Sequence, residues 1–132
     1  MYVVYEAESQ KCQNSKACCV QEYSMEDKEI NGALVHLNGR YPDKGWVTNL
    51  LCKELAFVIS GSGKLVVEGK ETVLSTGDLT LILPMEKYFW EGTMTLFISS
   101  TPAWNIAQHQ LLSGDNDVST KESLIKSLCP EN

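Results

Sequence analysis

From Val47 to Gly92 the chain alternates short apolar runs with turn residues. Four runs rich in β-branched and aromatic side chains, LAFVIS, KLVVE, ETVLS and LTLILP, lie between Glu54 and Trp90, separated by Gly-Ser-Gly, Glu-Gly-Lys and Ser-Thr-Gly-Asp. Runs this short, broken by residues that favour tight turns, predict antiparallel strands joined by hairpins and not strand–helix–strand units. Upstream, YVVYEAE predicts an edge strand, SQKCQNSK a polar loop, ACCVQEY a strand, SMEDKEING an acidic link and ALVHLNG another strand, with GRYPDKGW as a turn segment. After Gly92, TMTLFISS predicts one more strand. TPAWNIAQHQLL then leaves the barrel through Pro102, and Trp104 is expected to pack over an end or edge of it. In STKESLIKSL a capping box of Ser119 with Glu122 precedes Leu124, Ile125 and Leu128 at helical spacing, which predicts one short amphipathic helix. The expected architecture is all-β, a compact barrel or sandwich.

Size and composition fit one domain. A chain of 132 residues with 43% hydrophobic and 21% charged residues can bury a single core and is not disordered. We divide it into N-terminal strands over 1–29, a barrel core over about 30–112 and a tail with the helix over 113–132. Seventeen acidic against eleven basic residues give a net charge of −6. Such a field repels phosphate backbones and anionic headgroups, so neither nucleic acid nor membrane is expected as a partner. The opening MYVVYEAESQ lacks the basic flank of a signal peptide, and no apolar run approaches the roughly 18 residues that span a bilayer. The expected location is cytoplasmic. Five cysteines (Cys12, Cys18, Cys19, Cys52 and Cys129) without CxxC spacing read as reduced thiols. Cys18 and Cys19 are adjacent, so a strand sends them to opposite faces and they cannot jointly hold a metal.

Among polar candidates, His36 shares a strand face with Leu34 and Asn38, as a hydrogen-bonded wall residue or a member of a site rim. Arg40 is suited to bidentate contact with a carboxylate, and a structural salt bridge is expected. His109 lies in a polar setting and is expected to be exposed.

The central stretch resembles the cupin superfamily, in particular its small single-domain, RmlC-like members. The first cupin motif runs G-x5-H-x-H-x3-4-E-x6-G, and Glu54 followed after six residues by Gly61 matches its end. The second runs G-x5-P-x-G-x2-H-x3-N, which Gly77-Asp78 followed by LTLIL and Pro84 resembles, with one extra residue before the proline. The resemblance covers about half the chain and implies a double-stranded β-helix, or jelly-roll barrel. It also implies where a metal would sit. The first-motif histidines fall on Thr48 and Leu50, or on Val47 and Asn49, and the second-motif histidine on Tyr88; of the metal-binding set only Glu54 remains. A transition metal needs about three ligands with lone pairs, so no metal and no other cofactor is expected.

Alternation places Thr48, Leu50, Cys52 and Glu54 on one face, which the resemblance assigns to the barrel interior. Tyr88 and Trp90 share the inward face of an opposing strand. Two readings stay open: a Glu54–Tyr88 hydrogen bond that closes a filled barrel, or a small cavity lined by Glu54, Tyr88 and Trp90 with Asn49 or His36 at its rim. The second implies a metal-independent protein that binds a small organic ligand such as a sugar, amine or polar metabolite. Alternatives are an isomerase, epimerase or lyase with Glu54 as base and Tyr88 as acid, and a structural barrel without ligand. Cys52, on the Glu54 face with Lys53 turned away, reads as an inert buried thiol. Small cupins pair through edge strands, which implies a homodimer.

Overall fold

The structure is a computed structural model that describes residues 1–113 and 117–118. The helix expected over 119–128 lies outside the described residues. In chain order the strands are β1 (Gln10–Ser15), β2 (Cys18–Glu22), β3 (Asn31–Tyr41), β4 (Trp46–Asn49), β5 (Lys53–Val67), β6 (Lys70–Ser75), β7 (Leu79–Ile82), β8 (Tyr88–Thr101), β9 (His109–Ser113) and β10 (Asp117–Val118). All pairings are antiparallel, and the strands curl as one sheet around an apolar interior. Strand β8 is the spine: it pairs with β3 along one edge and with β5 along the other.

Two expected turns are bends. LAFVIS and KLVVE form one fifteen-residue strand through Gly61-Ser62-Gly63, and KYFWEG and TMTLFISS form one fourteen-residue strand through Gly92. The glycines supply curvature. Gly39, Gly92 and Gly63 stand in register on β3, β8 and β5, and a register shift between Val58 and Ser60 marks a bulge beside Gly61. At Gly92, with φ +143°, a Cβ would meet the Cα of Gly63 at 2.5 Å and the carbonyl oxygen of Ser62 at 2.7 Å. The sheet can fold over itself there only where three neighbouring strands lack side chains.

The N-terminal reading is corrected in two places. YVVYEAE forms no strand: its only regular element is a 3-10 turn at Glu6–Glu8, and Tyr2, Val3 and Tyr5 are exposed. SQKCQNSK, expected as a loop, is mostly strand β1, hairpinned to β2. An edge strand is held by backbone bonds and needs no apolar face, so its polarity conceals it. Cys12, on that strand, is disulfide-bonded, which corrects the expectation of five reduced thiols; Cys18, Cys19 and Cys52 are free. Disulfide partners are brought together by the fold and need no sequence spacing, and the bond removes the cysteine argument for a reducing compartment. No described helix is long and apolar enough to cross a membrane.

Among the described residues Arg40 makes no salt bridge. Its guanidinium donates from Nη1 to the carbonyl of Pro42 at 2.7 Å and from Nη2 to that of Gly45 at 3.0 Å, and lies 3.8 Å over the Phe89 ring. It clamps the turn between β3 and β4, where the carbonyls of a tight bend need donors that the backbone does not offer.

Replacing Gly92 by alanine should cost on the order of 3 kcal/mol, from overpacking against β5 and a left-handed backbone. Urea unfolding of Gly92→Ala and, as a control, of Gly77→Ala, which meets no atom within 4 Å, separates steric conflict from backbone strain.

Candidate ligand-binding site

The inward positions of β2, β3, β5 and β8 enclose a cavity of about 410 Å³. Its walls are largely apolar, with Val35 and Leu37 on β3 and Leu96 and Ile98 on β8. Trp90 of β8 and Trp104, on the segment after it, add aromatic surface. The polar end is formed by Tyr41, Glu54, Tyr88 and His109. Glu54 and Tyr88 sit far apart in the sheet, where Glu54 pairs with Ser100 and Tyr88 with Val67, yet meet across the interior of the curled sheet. The Tyr88 hydroxyl donates to Glu54 Oε1 at 3.0 Å.

Behind them stands a buried hub, Asn49. Its Oδ1 accepts from Trp104 Nε1 at 3.2 Å, Gln108 Nε2 at 3.0 Å and His109 Nδ1 at 2.8 Å, and its Nδ2 donates to the Tyr88 hydroxyl at 3.3 Å. An indole N–H can only donate, which fixes the amide orientation of Asn49. Gln108 agrees: its Oε1 accepts the backbone N–H groups of Leu51 and Cys52, so its nitrogen must face Asn49. His109 therefore carries its proton on Nδ1, and Nε2 is left to accept. The Tyr41 hydroxyl lies 3.1 Å from Nε2 and donates to it. Each donor from Tyr41 through His109, Asn49 and Tyr88 thus points along one chain that ends on Glu54.

Burial moves the titrations apart. Loss of water raises the Glu54 carboxyl above its ordinary range, while hydrogen bonds from Tyr88, Asn49 and Ser100 oppose the rise. Loss of water lowers His109 from 6.5 to about 4, so its ring is neutral near pH 7. The Tyr41 and Tyr88 phenols are pushed upward by burial first and by the nearby Glu54 charge, and both keep their protons. Burial also drives Cys52 up to about 12, so it is a thiol and not a nucleophile.

The sequence candidates divide. Glu54, Tyr88 and Trp90 line the cavity together. Asn49, expected at the rim, is buried behind Tyr88 as the hub. His36 is not part of the site: Val35 and Leu37 face inward, so His36 faces outward between Gln21 and Thr95. His109, expected to be exposed, is buried. The β4–β9 pairing sets it directly opposite Asn49, a contact between residues 60 apart that no local pattern marks. Tyr41, Trp104 and Gln108 were not singled out as site residues either; the one signal for Tyr41 was its parity with Val35 and Leu37. The face counted through Thr48, Leu50, Cys52 and Glu54 is not one strand, because Leu50–Cys52 turns between β4 and β5.

Cupin metal chemistry does not fit these residues. Both ring nitrogens of His109 are engaged by Asn49 and Tyr41, and His36 faces outward. Among the described residues no three histidine, cysteine or carboxylate side chains are grouped to hold an ion.

No family model matches the chain, and no curated protein matches its sequence. Solved structures do match. A nucleoside dehydratase of Streptomyces, solved also with uridine, superposes with a TM-score of 0.79 at 16% identity, covering 89% of this chain and 95% of that one. An RmlC-like cupin from Shewanella frigidimarina gives 0.66 at 16% identity, covering 78% and 92%. KdgF from Halomonas gives 0.60 at 14% identity, covering 76% and 94%. The chain has the cupin fold, as its motifs implied.

The opposed shifts give acid stability a signature. His109, lowered in the fold, contributes stability that is lost as pH falls from 6.5 towards about 4, amounting to about 3 kcal/mol. Glu54, raised in the fold, acts with the opposite sign, and its cost is relieved as pH falls through its folded pKa. In urea titrations between pH 4 and 7, His109→Gln should flatten the acid limb and Glu54→Gln should steepen it.

Proposed function

We propose that this cupin-fold protein binds a small organic molecule inside its barrel without a metal, with the molecule's polar end against Tyr41 and Glu54 and its body against Trp90 and Trp104. The observation that carries this reading is an open cavity of about 410 Å³ with a buried carboxylate on its wall. A filled structural barrel would bring apolar side chains into that space, and its volume is within the range of small-molecule sites. The likeness to a nucleoside dehydratase solved with uridine supports it by precedent of shape: a comparable barrel is found with a small polar ring compound.

An acid–base enzyme is the second reading, favoured by the opposed titrations of Glu54 and His109. Isomerisation, epimerisation and elimination all need one group that gives a proton and another that takes one. Glu54, held towards its protonated form, suits the acid. The Nε2 lone pair of neutral His109, reached through the Tyr41 hydroxyl, suits the base. This reverses the role that the sequence reading gave Glu54.

A metabolite library screened by thermal shift tests the binding reading. A hit should raise the melting temperature of the parent protein, and Trp90→Ala or Glu54→Gln should weaken its binding by roughly tenfold or more, equivalent to about 1.4 kcal/mol. Product formation from a hit, read by NMR and abolished in Tyr41→Phe, would favour the enzyme. No hit, together with a Glu54→Gln variant changed only in stability by about 1–3 kcal/mol, would mark the Glu54–Tyr88 pair as structural.

A further inference from the structure

We propose that the outer face of β5, β7 and β8 is the surface through which two copies of this chain associate. Leu55 and Phe57 of β5, Leu79 and Leu81 of β7, Leu83 just beyond it and Phe97 of β8 are each between 41% and 59% exposed. Their strand neighbours Glu54, Ala56, Ile82, Leu96 and Ile98 are buried, so these six point away from the interior. Pairing makes them one patch. Phe57 stands directly opposite Leu79 on one side and Phe97 on the other, and Leu55 stands opposite Leu81, which sets neighbouring Cβ atoms about 5 Å apart. Leu34 of β3, half-buried and opposite Phe97, carries the row to a fourth strand, and Ile59 extends the patch along β5. The outward positions of an antiparallel sheet that faces water are ordinarily polar. Here they are leucine, isoleucine and phenylalanine.

Area and charge point to a second copy as the occupant. At roughly 200 Å² for a large side chain fully exposed, the six with Ile59 present on the order of 650 Å² of apolar surface. The largest patch of a monomer is commonly about 300–600 Å², and a stable pair buries roughly 800 Å² on each partner. Leu34, Ser99 and Thr101 at the margin bring the face to that size. Segments 55–60, 79–83 and 95–101 contain no charged residue, in a chain whose net charge is −6. Two copies repel each other over most of their surfaces, and on this face they approach without that cost. A face without charge offers no pattern for selecting a partner of different sequence, but it is complementary to itself, which a two-fold interface requires. Among the described residues β7 pairs only with β5, and its Leu-Thr-Leu-Ile carries neither the charge nor the proline that keeps an open edge from recruiting further strands. A closed two-fold pair, sheet face on sheet face, takes the patch out of water and leaves none to recruit a third copy. A lipid surface is the poorer occupant, because anionic headgroups repel a protein of this charge.

Sedimentation equilibrium of the full chain at micromolar concentration should give a mass near twice 14.7 kDa. Phe57→Glu and Leu81→Glu each place two charges in a two-fold interface and should weaken association by roughly a hundredfold or more, giving a mass near 14.7 kDa at the same concentration. Val73→Glu, on β6 and outside the patch, should leave the pair intact. Both patch positions lie on the outside of the single chain, so circular dichroism and an unfolding curve should show each variant folded. A parent protein of 14.7 kDa, or a pair that survives both patch variants, would overturn the proposal. A monomeric parent that cosediments with phosphatidylcholine vesicles, and ceases to in Phe57→Glu, would overturn it in favour of a lipid surface; a monomeric parent destabilised by Phe57→Glu would overturn it in favour of another part of the same chain. None of the patch side chains from Leu55 to Phe97 named above lines the cavity, so failure here leaves the ligand reading untouched.

Discussion

The carbonyl oxygen of Asn49 is the point on which the polar interior depends. Three donors from separate parts of the chain, Trp104, Gln108 and His109, converge on it, and each is committed to it by its own chemistry. Remove that oxygen and an indole, an amide and an imidazole lose a buried acceptor at once, each loss comparable to the full desolvation of a polar group. The same amide turns its nitrogen towards Tyr88 and so sets the phenol's proton on Glu54. Among the described residues no buried side-chain nitrogen or oxygen is left without a partner. In a low-dielectric interior a network like this is worth having only when complete.

That completeness rests on backbone geometry set elsewhere. Two long strands bend where Gly63 and Gly92 oppose each other, and the bend lets the Glu54 end of β5 face the Tyr88 end of β8 across the interior. Gln108 ties the same framework to the chain: its Oε1 holds the Leu50–Cys52 turn while its nitrogen holds Asn49. The cavity is therefore bounded by a hydrogen-bonded polar end and by walls in which apolar side chains of β3 and β8 predominate.

Much of this was legible in the chain. Strand alternation gave the inward parity of Glu54, and of Tyr88 and Trp90, because a two-residue period holds along any stretch of strand that no bulge interrupts. Glycine was misread wherever it bends a strand instead of ending one, since Gly-Ser-Gly looks the same in a hairpin loop and at a barrel corner. Polar β1 was invisible because backbone bonds alone hold an edge. Parity also fails across a turn, which is why Thr48 and Glu54 were wrongly placed on one continuous strand. His109 escaped altogether: its partner Asn49 is 60 residues away, and only the pairing of β4 with β9 sets them side by side. The candidate site was thus half legible, in the residues carried by the two long strands, and hidden in those brought by the segment after Pro102.

The remaining tension is between Glu54 and stability. A buried carboxyl facing a largely apolar cavity, with no lysine or arginine among the cavity's described lining residues, raises the free energy of the fold, and replacement by an apolar side chain of similar size would relieve that cost. The surrounding chain is arranged to keep it: burial raises its pKa, three side chains, Tyr88, Asn49 and Ser100, oppose that rise by hydrogen bonding, and every donor direction from Tyr41 onward runs towards it. If the pair with Tyr88 merely closed a barrel, an aliphatic plug would do so at lower cost and would leave no volume. Volume and a buried carboxyl occur together here, the combination that a ligand filling the one and hydrogen-bonding to the other would relieve.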